Sequence, residues 1–386
     1  MKFVKCAIAV LTAAMLALTM VGCHEAKEIV ASYDDIEITG GMYLAMLLEA
    51  DGVARNLADE QKEGDDAIED YGDVEIKDGG KVTPYYDYVK SEAKKLLRQY
   101  VATQTLAKEY KVTLSDEDKA GLNAYVDYLW DTYGYGIMYE ENGVGRASYT
   151  EYIRNSGYLR GNLFEAIYGK EGKTPVKEED LKKYMTDNYC IANILTENLS
   201  STDENGNTTT LTEDEAKDLL GKLNAYADRL TKGDADFETI YHEHNESEHE
   251  KEETTEDKDT DEHDHEEAET ETEETEEVPS APLDSHATLL SSKDTGTESE
   301  NFSEIYKMKV GEVKVIESET AYTLVVRGDI SADPYYLYSL DETLRQLIKG
   351  DEFNDMLDEE GGKLDIKYFE GEISYLSPKK INYDVY

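Results

Sequence analysis

The stretch YCIANILTEN, residues 189–198, is the part of the sequence that decides the fold. Its first seven residues are apolar, small or aromatic except for Asn193, and a lysine-rich helical pattern ends just before it. A short apolar run bounded by polar segments predicts a buried strand. Asn193 is then a polar side chain inside a sheet. Three interpretations are open: a functional residue, a catalytic position that has lost its function, or an amide with a partner in the core.

The composition predicts two or three domains and argues against two classes of partner. The chain has 386 residues, of which 39% are hydrophobic and 33% charged, with a net charge of −48. This balance predicts that part of the chain does not pack into a core. The negative charge argues against nucleic acid, whose phosphates require Lys and Arg, and against electrostatic attachment to anionic lipid. Thirty tyrosines against six phenylalanines predict many half-buried positions with hydrated hydroxyls.

The N-terminal residues have the pattern of an export signal. A basic segment with Lys2 and Lys5 precedes an apolar run that is shorter than a membrane span and ends at Val21-Gly22-Cys23. This pattern resembles a bacterial lipoprotein signal, which implies that Cys23 is lipidated and becomes the mature N-terminus. An ordinary secretory signal cleaved elsewhere is the alternative. Cys6 would be removed with the signal and the Cys23 sulfur would carry the lipid, so Cys190 has no partner for an internal disulfide.

Periodicity predicts a long helical region followed by a mixed segment. Residues 28–39 predict a hairpin, residues 60–80 a loop, and residues 84–188 a series of helices that includes a capping box at Ser115. After the strand at 189–196, the pattern predicts a helix, short strands, and a further helix over residues 333–357. A closing strand is predicted within residues 363–373.

The order of motifs after residue 174 resembles the parvulin-type prolyl isomerase domain. The matching segments are Ala192-Asn193-Ile194-Leu195, then Gly233 to Phe237, then Lys309 to Val313, then Ala321-Tyr322-Thr323-Leu324-Val325. The helices before this domain and the helix after it look like the chaperone domain of secreted foldases of the PrsA and SurA type. The resemblance covers roughly residues 28–370, apart from an acidic insert.

The resemblance implies a site whose family side chains are replaced. The family's two histidines face each other across the sheet, and the matching positions are Asn193 and Thr323. Thr288 is the nearest candidate for the family's third polar position. Phe302 and Met308 match the family's proline pocket loosely. Prolyl isomerisation breaks no bond, and an enzyme lowers its amide barrier of roughly 18–20 kcal/mol by holding a twisted amide among adjusted hydrogen bonds. Asn and Thr can form a hydrogen bond across the same gap. Loss of both histidines favours binding over catalysis, and whether the domain is an enzyme stays open.

An acidic insert carries most of the histidines. Its composition from residue 243 to residue 282 predicts disorder, because it cannot bury enough apolar surface. His242 and His244, and also His263 and His265, have a spacing that would suit Zn, Ni or Cu together with carboxylates. A solvated spacer is the favoured alternative, and no metal or other cofactor is predicted.

The predicted fold class is α+β: a mostly helical chaperone domain with an inserted parvulin-like α/β domain. The predicted borders are a signal peptide at 1–22, the helical domain at 23–188, the parvulin-like domain at 189–330, and a C-terminal helix and strand at 331–386 that pack back on the helical domain. The predicted function is an extracytoplasmic folding factor, anchored by lipid to a bacterial cell membrane, that binds unfolded or newly exported polypeptides. An active isomerase with a modified site and a metal-binding lipoprotein are the alternatives. The oligomeric state is not predicted.

Overall fold

A computed structural model describes residues 25–62, 67–202, 208–252, 281–292 and 303–382. The fold is α+β, as the sequence predicts. It divides into two compact units: the first comprises the residues up to Pro175 and from Lys349 onward, and the second is Val176–Ile348. The sequence predicted these borders at residues 188 and 330 instead. None of the helices in the described ranges combines the length and the hydropathy that a membrane span requires.

The secondary structure elements are numbered in chain order. The strands are β1 (Ile29–Tyr33), β2 (Ile36–Thr39), β3 (Glu75–Asp78), β4 (Lys81–Pro84), β5 (Tyr189–Asn198), β6 (Ser200–Thr202), β7 (Thr208–Thr210), β8 (Ala287–Ser291), β9 (Val313–Glu317), β10 (Ala321–Arg327) and β11 (Lys367–Tyr368). The helices are α1 (Gly40–Gln61), α2 (Tyr85–Tyr110), α3 (Asp116–Asp127), α4 (Tyr135–Glu141), α5 (Arg146–Ile153), α6 (Arg160–Tyr168), α7 (Glu178–Asn188), α8 (Glu213–Lys232), α9 (Phe237–Glu252), α10 (Pro334–Lys363) and α11 (Glu370–Tyr375). Two π-helical turns, Tyr128–Thr132 and Arg154–Leu159, lie between α3 and α4 and between α5 and α6.

The first unit is built around α1 and α2, whose apolar faces are buried together. The predicted hairpin is present as β1 and β2, with Asp34 at a positive φ of 49° in its turn. The C-terminal strand β11 pairs with β1, placing Tyr368 opposite Ala31. The capping box at Ser115 is confirmed: its hydroxyl accepts from the Asp118 N–H, and the Asp118 carboxylate accepts from the Ser115 N–H.

Two predictions for the first unit are wrong in part. The predicted loop at 60–80 contains β3, because Ile76 is fully buried and Gly79-Gly80, both at positive φ, form a tight turn into β4. The strand predicted within residues 363–373 is limited to the two residues of β11, and the chain continues as helix α11 from Glu370.

The second unit contains a four-stranded antiparallel sheet in the order β8-β5-β10-β9. One side of this sheet, the helix face, is covered by α8 and α9 and contains Leu195, Leu223, Phe237, Ile240 and Leu324. The other side, the Met308 face, contains Ala192, Ile305, Met308, Ile316 and Val325. Helix α8 begins at a capping box formed by Thr212 and Glu215 and ends at Gly233, whose φ is +72°.

Candidate functional site

Asn193 lies in the middle of the sheet on its helix face. It is opposite Val326 of β10 and Ala287 of β8, and 8% of its surface is exposed. Successive side chains of a strand point to opposite sides of the sheet. Asn193 therefore shares its side with Leu195, which belongs to the helix face.

Thr323 lies on the opposite side of the sheet from Asn193. It is opposite Thr196 of β5, and the two hydroxyl oxygens are 3.3 Å apart. Its side is that of Val325, on the Met308 face. On β10 the residue opposite Asn193 is Val326, which is three residues from Thr323. Because side chains alternate along a strand, this odd separation places Thr323 on the other side of the sheet. The two side chains do not face each other, contrary to the expectation from the family resemblance.

The remaining predicted site residues are distributed as follows. Met308 is 8% exposed and is part of the Met308 face, so it is on the side of Thr323 and not of Asn193. Thr288 is opposite Ala192, which also belongs to the Met308 face. Four predicted positions lie outside the described residues: Cys23, Phe302, His263 and His265.

The partner of Asn193 is a turn that the sequence did not single out. The Asn193 Nδ2 donates to Asp284 Oδ2 at 2.8 Å, and Asp284 Oδ1 accepts from the His286 N–H at 2.9 Å. The His286 ring packs against Tyr241, with ring centroids 5.0 Å apart, and against Phe237. The signal in the sequence is Asp284-Ser-His286, since an aspartate commonly binds the N–H two residues on in a turn.

This Asp284–His286 turn has titratable groups but not the environment that prolyl isomerisation requires. An imidazole and a carboxylate can exchange protons with a bound group. Stabilisation of a twisted amide needs fixed donors in a site that excludes water. The Asp284 side chain is 51% exposed, so the turn does not exclude water. Asn193 is best described as a core amide with a carboxylate partner.

His244 is part of the folded second unit and not of a disordered tract. Helix α9 continues to Glu252, nine residues beyond the predicted start of disorder at residue 243. Ile240 and His244 are one turn apart, are both buried, and face the sheet, and the His244 Nε2 meets the Glu197 carboxylate on β5. This pairing joins α9 to the sheet at the beginning of the acidic sequence.

In the described part of the chain, the histidines predicted as metal ligands are not assembled into a metal site. His242 is exposed and its Nε2 is 3.9 Å from Glu238 Oε1, whereas His244 is buried and points to Glu197. Within the described residues, no group of three or more His, Cys, Asp or Glu side chains is arranged to hold an ion.

A second candidate is an aromatic surface of the first unit, here named the tyrosine surface and defined by Tyr125, Tyr128, Tyr133 and Ile137. These four residues are 46%, 50%, 57% and 60% exposed, respectively. The π-helical turn explains the arrangement. Its i→i+5 hydrogen bond, from Tyr133 N to Tyr128 O at 2.9 Å, brings side chains five residues apart to one side. The rings of Tyr128 and Tyr133 are accordingly 5.5 Å apart.

The π-helical turn of the tyrosine surface also contributes a buried aromatic residue to the interior of the first unit. Trp130, in the middle of the π-helical turn, points inward, is 8% exposed, and stacks on Tyr139 with ring centroids 6.0 Å apart. Tyr149 packs against both of these rings. Burial raises the pKa of the Tyr149 phenol to about 12. Trp130 thus connects the π-helical turn that carries Tyr128 to a packed aromatic cluster.

A pocket of about 640 Å³ also lies in the first unit. Charged residues such as Glu37, Glu151 and Arg154 line it together with apolar ones such as Ile36 and Met42. At its wall the Ser148 hydroxyl donates to Glu25 Oε1 at 2.7 Å.

The solved structures to which this chain is similar include two foldases. No protein-family model matches the chain, and no curated protein matches it. The crystal structure of foldase protein PrsA from Streptococcus pneumoniae is 16% identical, with a TM-score of 0.36; the match covers 78% of this chain and 97% of that one. PrsA from Bacillus subtilis is 16% identical, with a TM-score of 0.25, and the match covers 74% and 89% of the two chains. These values do not establish an activity for the chain.

Proposed function

We propose that this protein is an extracytoplasmic, lipid-anchored folding factor that binds unfolded or newly exported polypeptides and does not catalyse prolyl isomerisation. The order of parvulin-like segments along the sequence and the lipoprotein-like signal that ends at Cys23 support this proposal. Binding without catalysis needs an accessible apolar surface and no assembled isomerase site.

The observation that carries the proposal is the tyrosine surface. Exposed aromatic side chains that lie close together, as Tyr128 and Tyr133 do with ring centroids 5.5 Å apart, commonly mark a surface for partners. Tyrosine provides a large contact area at a low cost in conformational entropy, because it has only two side-chain torsions. Such a surface suits many different unfolded segments, because it requires apolar contact and not a fixed pattern of hydrogen bonds.

The arrangement of the sheet supports the absence of catalysis. An isomerase site that uses two facing side chains needs both on one side of the sheet, within hydrogen-bond distance. Asn193 and Thr323 are on opposite sides, and each is at most 8% exposed. Substituting histidine at both positions would not bring the two rings together.

Suppression of client aggregation tests the proposed function. Light scattering of a chemically unfolded client would be followed with increasing amounts of the mature protein. The expected result is suppression near equal molar amounts, and its loss in the variant Tyr128→Ser/Tyr133→Ser/Ile137→Ser. The matched control is Tyr338→Ser/Tyr375→Ser, which alters tyrosines of α10 and α11 that are 57% and 71% exposed. Equal suppression by both variants would contradict a role of the tyrosine surface.

Membrane attachment is tested separately at Cys23. Cys23→Ala is expected to release the protein from the membrane fraction or to leave it unprocessed, because the acyl chains would supply the attachment that the negative charge cannot. Equal incorporation of labelled fatty acid into wild type and variant would contradict lipidation at this residue.

A further inference from the structure

The charges around the tyrosine surface are strongly unbalanced. Between residues 116 and 141 the sequence has seven acidic residues and one basic residue, Lys119. The Lys119 Nζ is 2.8 Å from the Asp116 carboxylate. Arg146, which lies outside this stretch, binds both Asp127 and Asp131. The exposed rings therefore belong to a segment with an excess of carboxylates, and two basic side chains of this region already bind carboxylates of that segment.

Exposed tyrosine rings and carboxylates favour the same kind of ligand. The face of an aromatic ring carries partial negative charge and attracts the ammonium group of Lys or the guanidinium group of Arg. Carboxylates within a Debye length add a screened attraction for the same groups and repel acidic ones. The apolar part of a segment would contact Ile137 and the rings, while its cationic side chains would lie over the rings.

We infer that the tyrosine surface selects apolar segments of unfolded polypeptides that carry Lys or Arg, and disfavours acidic segments of equal hydrophobicity. This inference rests on the proposed function and names the chemistry of its ligand. Charge complementarity identifies the occupant. A second copy of the chain, with its own net charge of −48, would be repelled, as would anionic lipid.

Peptide binding to the mature protein tests the inference. Two labelled, unstructured peptides would have the same apolar residues, with lysines in one and glutamates at the same positions in the other. Fluorescence anisotropy at neutral pH and low salt is expected to show that the lysine peptide binds at least about fivefold more tightly, from two exposed cation–π contacts. The difference is expected to shrink with added salt.

Substitutions separate the aromatic contribution from the apolar one. Tyr128→Leu/Tyr133→Leu keeps an apolar surface without rings and is expected to weaken the lysine peptide about fivefold. Tyr128→Phe/Tyr133→Phe keeps the rings and is expected to retain affinity. The control Tyr338→Leu/Tyr375→Leu should behave as wild type. The fluorescence of Trp130 would report whether each variant is folded.

The outcomes distinguish this inference from the proposed function. Equal binding of the two peptides by wild type, unchanged in the leucine variant, would overturn the inference and leave a general apolar binding role intact. Failure to bind either peptide, together with failure to suppress client aggregation, would overturn both. Binding of the lysine peptide that is lost equally in the leucine and phenylalanine variants would also contradict selection by the rings.

Discussion

Removal of the Asp284 carboxylate should loosen the centre of the sheet in the second unit. The Asn193 amide is 8% exposed and its Nδ2 donates to Asp284 Oδ2 at 2.8 Å. In Asp284→Ala this buried amide loses a charged acceptor, which costs about 1–3 kcal/mol. A loss of about 2 kcal/mol corresponds to a roughly thirtyfold increase in the equilibrium constant for opening.

Amide hydrogen exchange measured by mass spectrometry on peptides from β5 is the suitable assay, because it reports local opening within one unit of a two-unit chain. We expect exchange in β5 to accelerate roughly thirtyfold in Asp284→Ala and less in Asp284→Asn, which retains a neutral acceptor. Ser285→Ala, at the exposed neighbouring position, is the control and should match wild type. Unchanged exchange of β5 in Asp284→Ala would refute the conclusion that this carboxylate satisfies the Asn193 amide.

Two further predictions concern the first unit, whose unfolding the single tryptophan, Trp130, reports. A Cβ added at Gly136 would lie 2.5 Å from Trp130 Nε1, so Gly136→Ala should destabilise the unit by about 1–3 kcal/mol in urea unfolding. Gly161→Ala should not destabilise the unit, because a Cβ added there meets nothing within 4 Å. Equal urea midpoints for the two variants would contradict the tight contact at Gly136. The second prediction concerns the pH dependence of stability. Hydrogen bonds, of which the one from the Ser115 N–H has the largest effect, lower the pKa of Asp118 below its ordinary 3.8. A carboxylate whose pKa is lower in the folded state stabilises the fold at pH values above its unfolded-state pKa. This stabilisation is lost as the pH falls through the folded-state pKa. The advantage of wild type over Asp118→Asn should therefore be constant near neutral pH and disappear below the folded-state pKa; an advantage unchanged down to that acidic range would contradict it.

Local signals in the sequence predicted local structure well. The capping box at Ser115, the hairpin of β1 and β2, and the strand β5 each depend on residues close together in the chain, and each is present. The side of the sheet that Thr323 occupies depends instead on the register between β5 and β10, which are more than a hundred residues apart in the chain. A motif match cannot determine that register, and an odd offset reverses every side chain.

Two predictions made from composition alone missed features of the structure. The acidic sequence after residue 243 predicted disorder, but Ile240 and His244 of α9 are buried and the helix continues to Glu252. The abundance of tyrosine predicted half-buried rings in general. The structure separates them into buried rings such as Tyr43 and exposed ones such as Tyr133. The juxtaposition of the exposed rings of Tyr128 and Tyr133 depends on a π-helical turn, for which the sequence carries no simple signal.

The central claim, binding of unfolded polypeptide without isomerase activity, is tested most directly by the rate of a refolding step limited by prolyl isomerisation. This uncatalysed step takes roughly tens to hundreds of seconds at 25 °C, so acceleration by a small molar fraction of the wild-type protein would be measured easily. We expect the rate to be unchanged at such amounts, while near-equimolar protein suppresses aggregation of the same client. Acceleration at catalytic amounts that Thr323→Ala or Asn193→Ala abolishes would contradict the account.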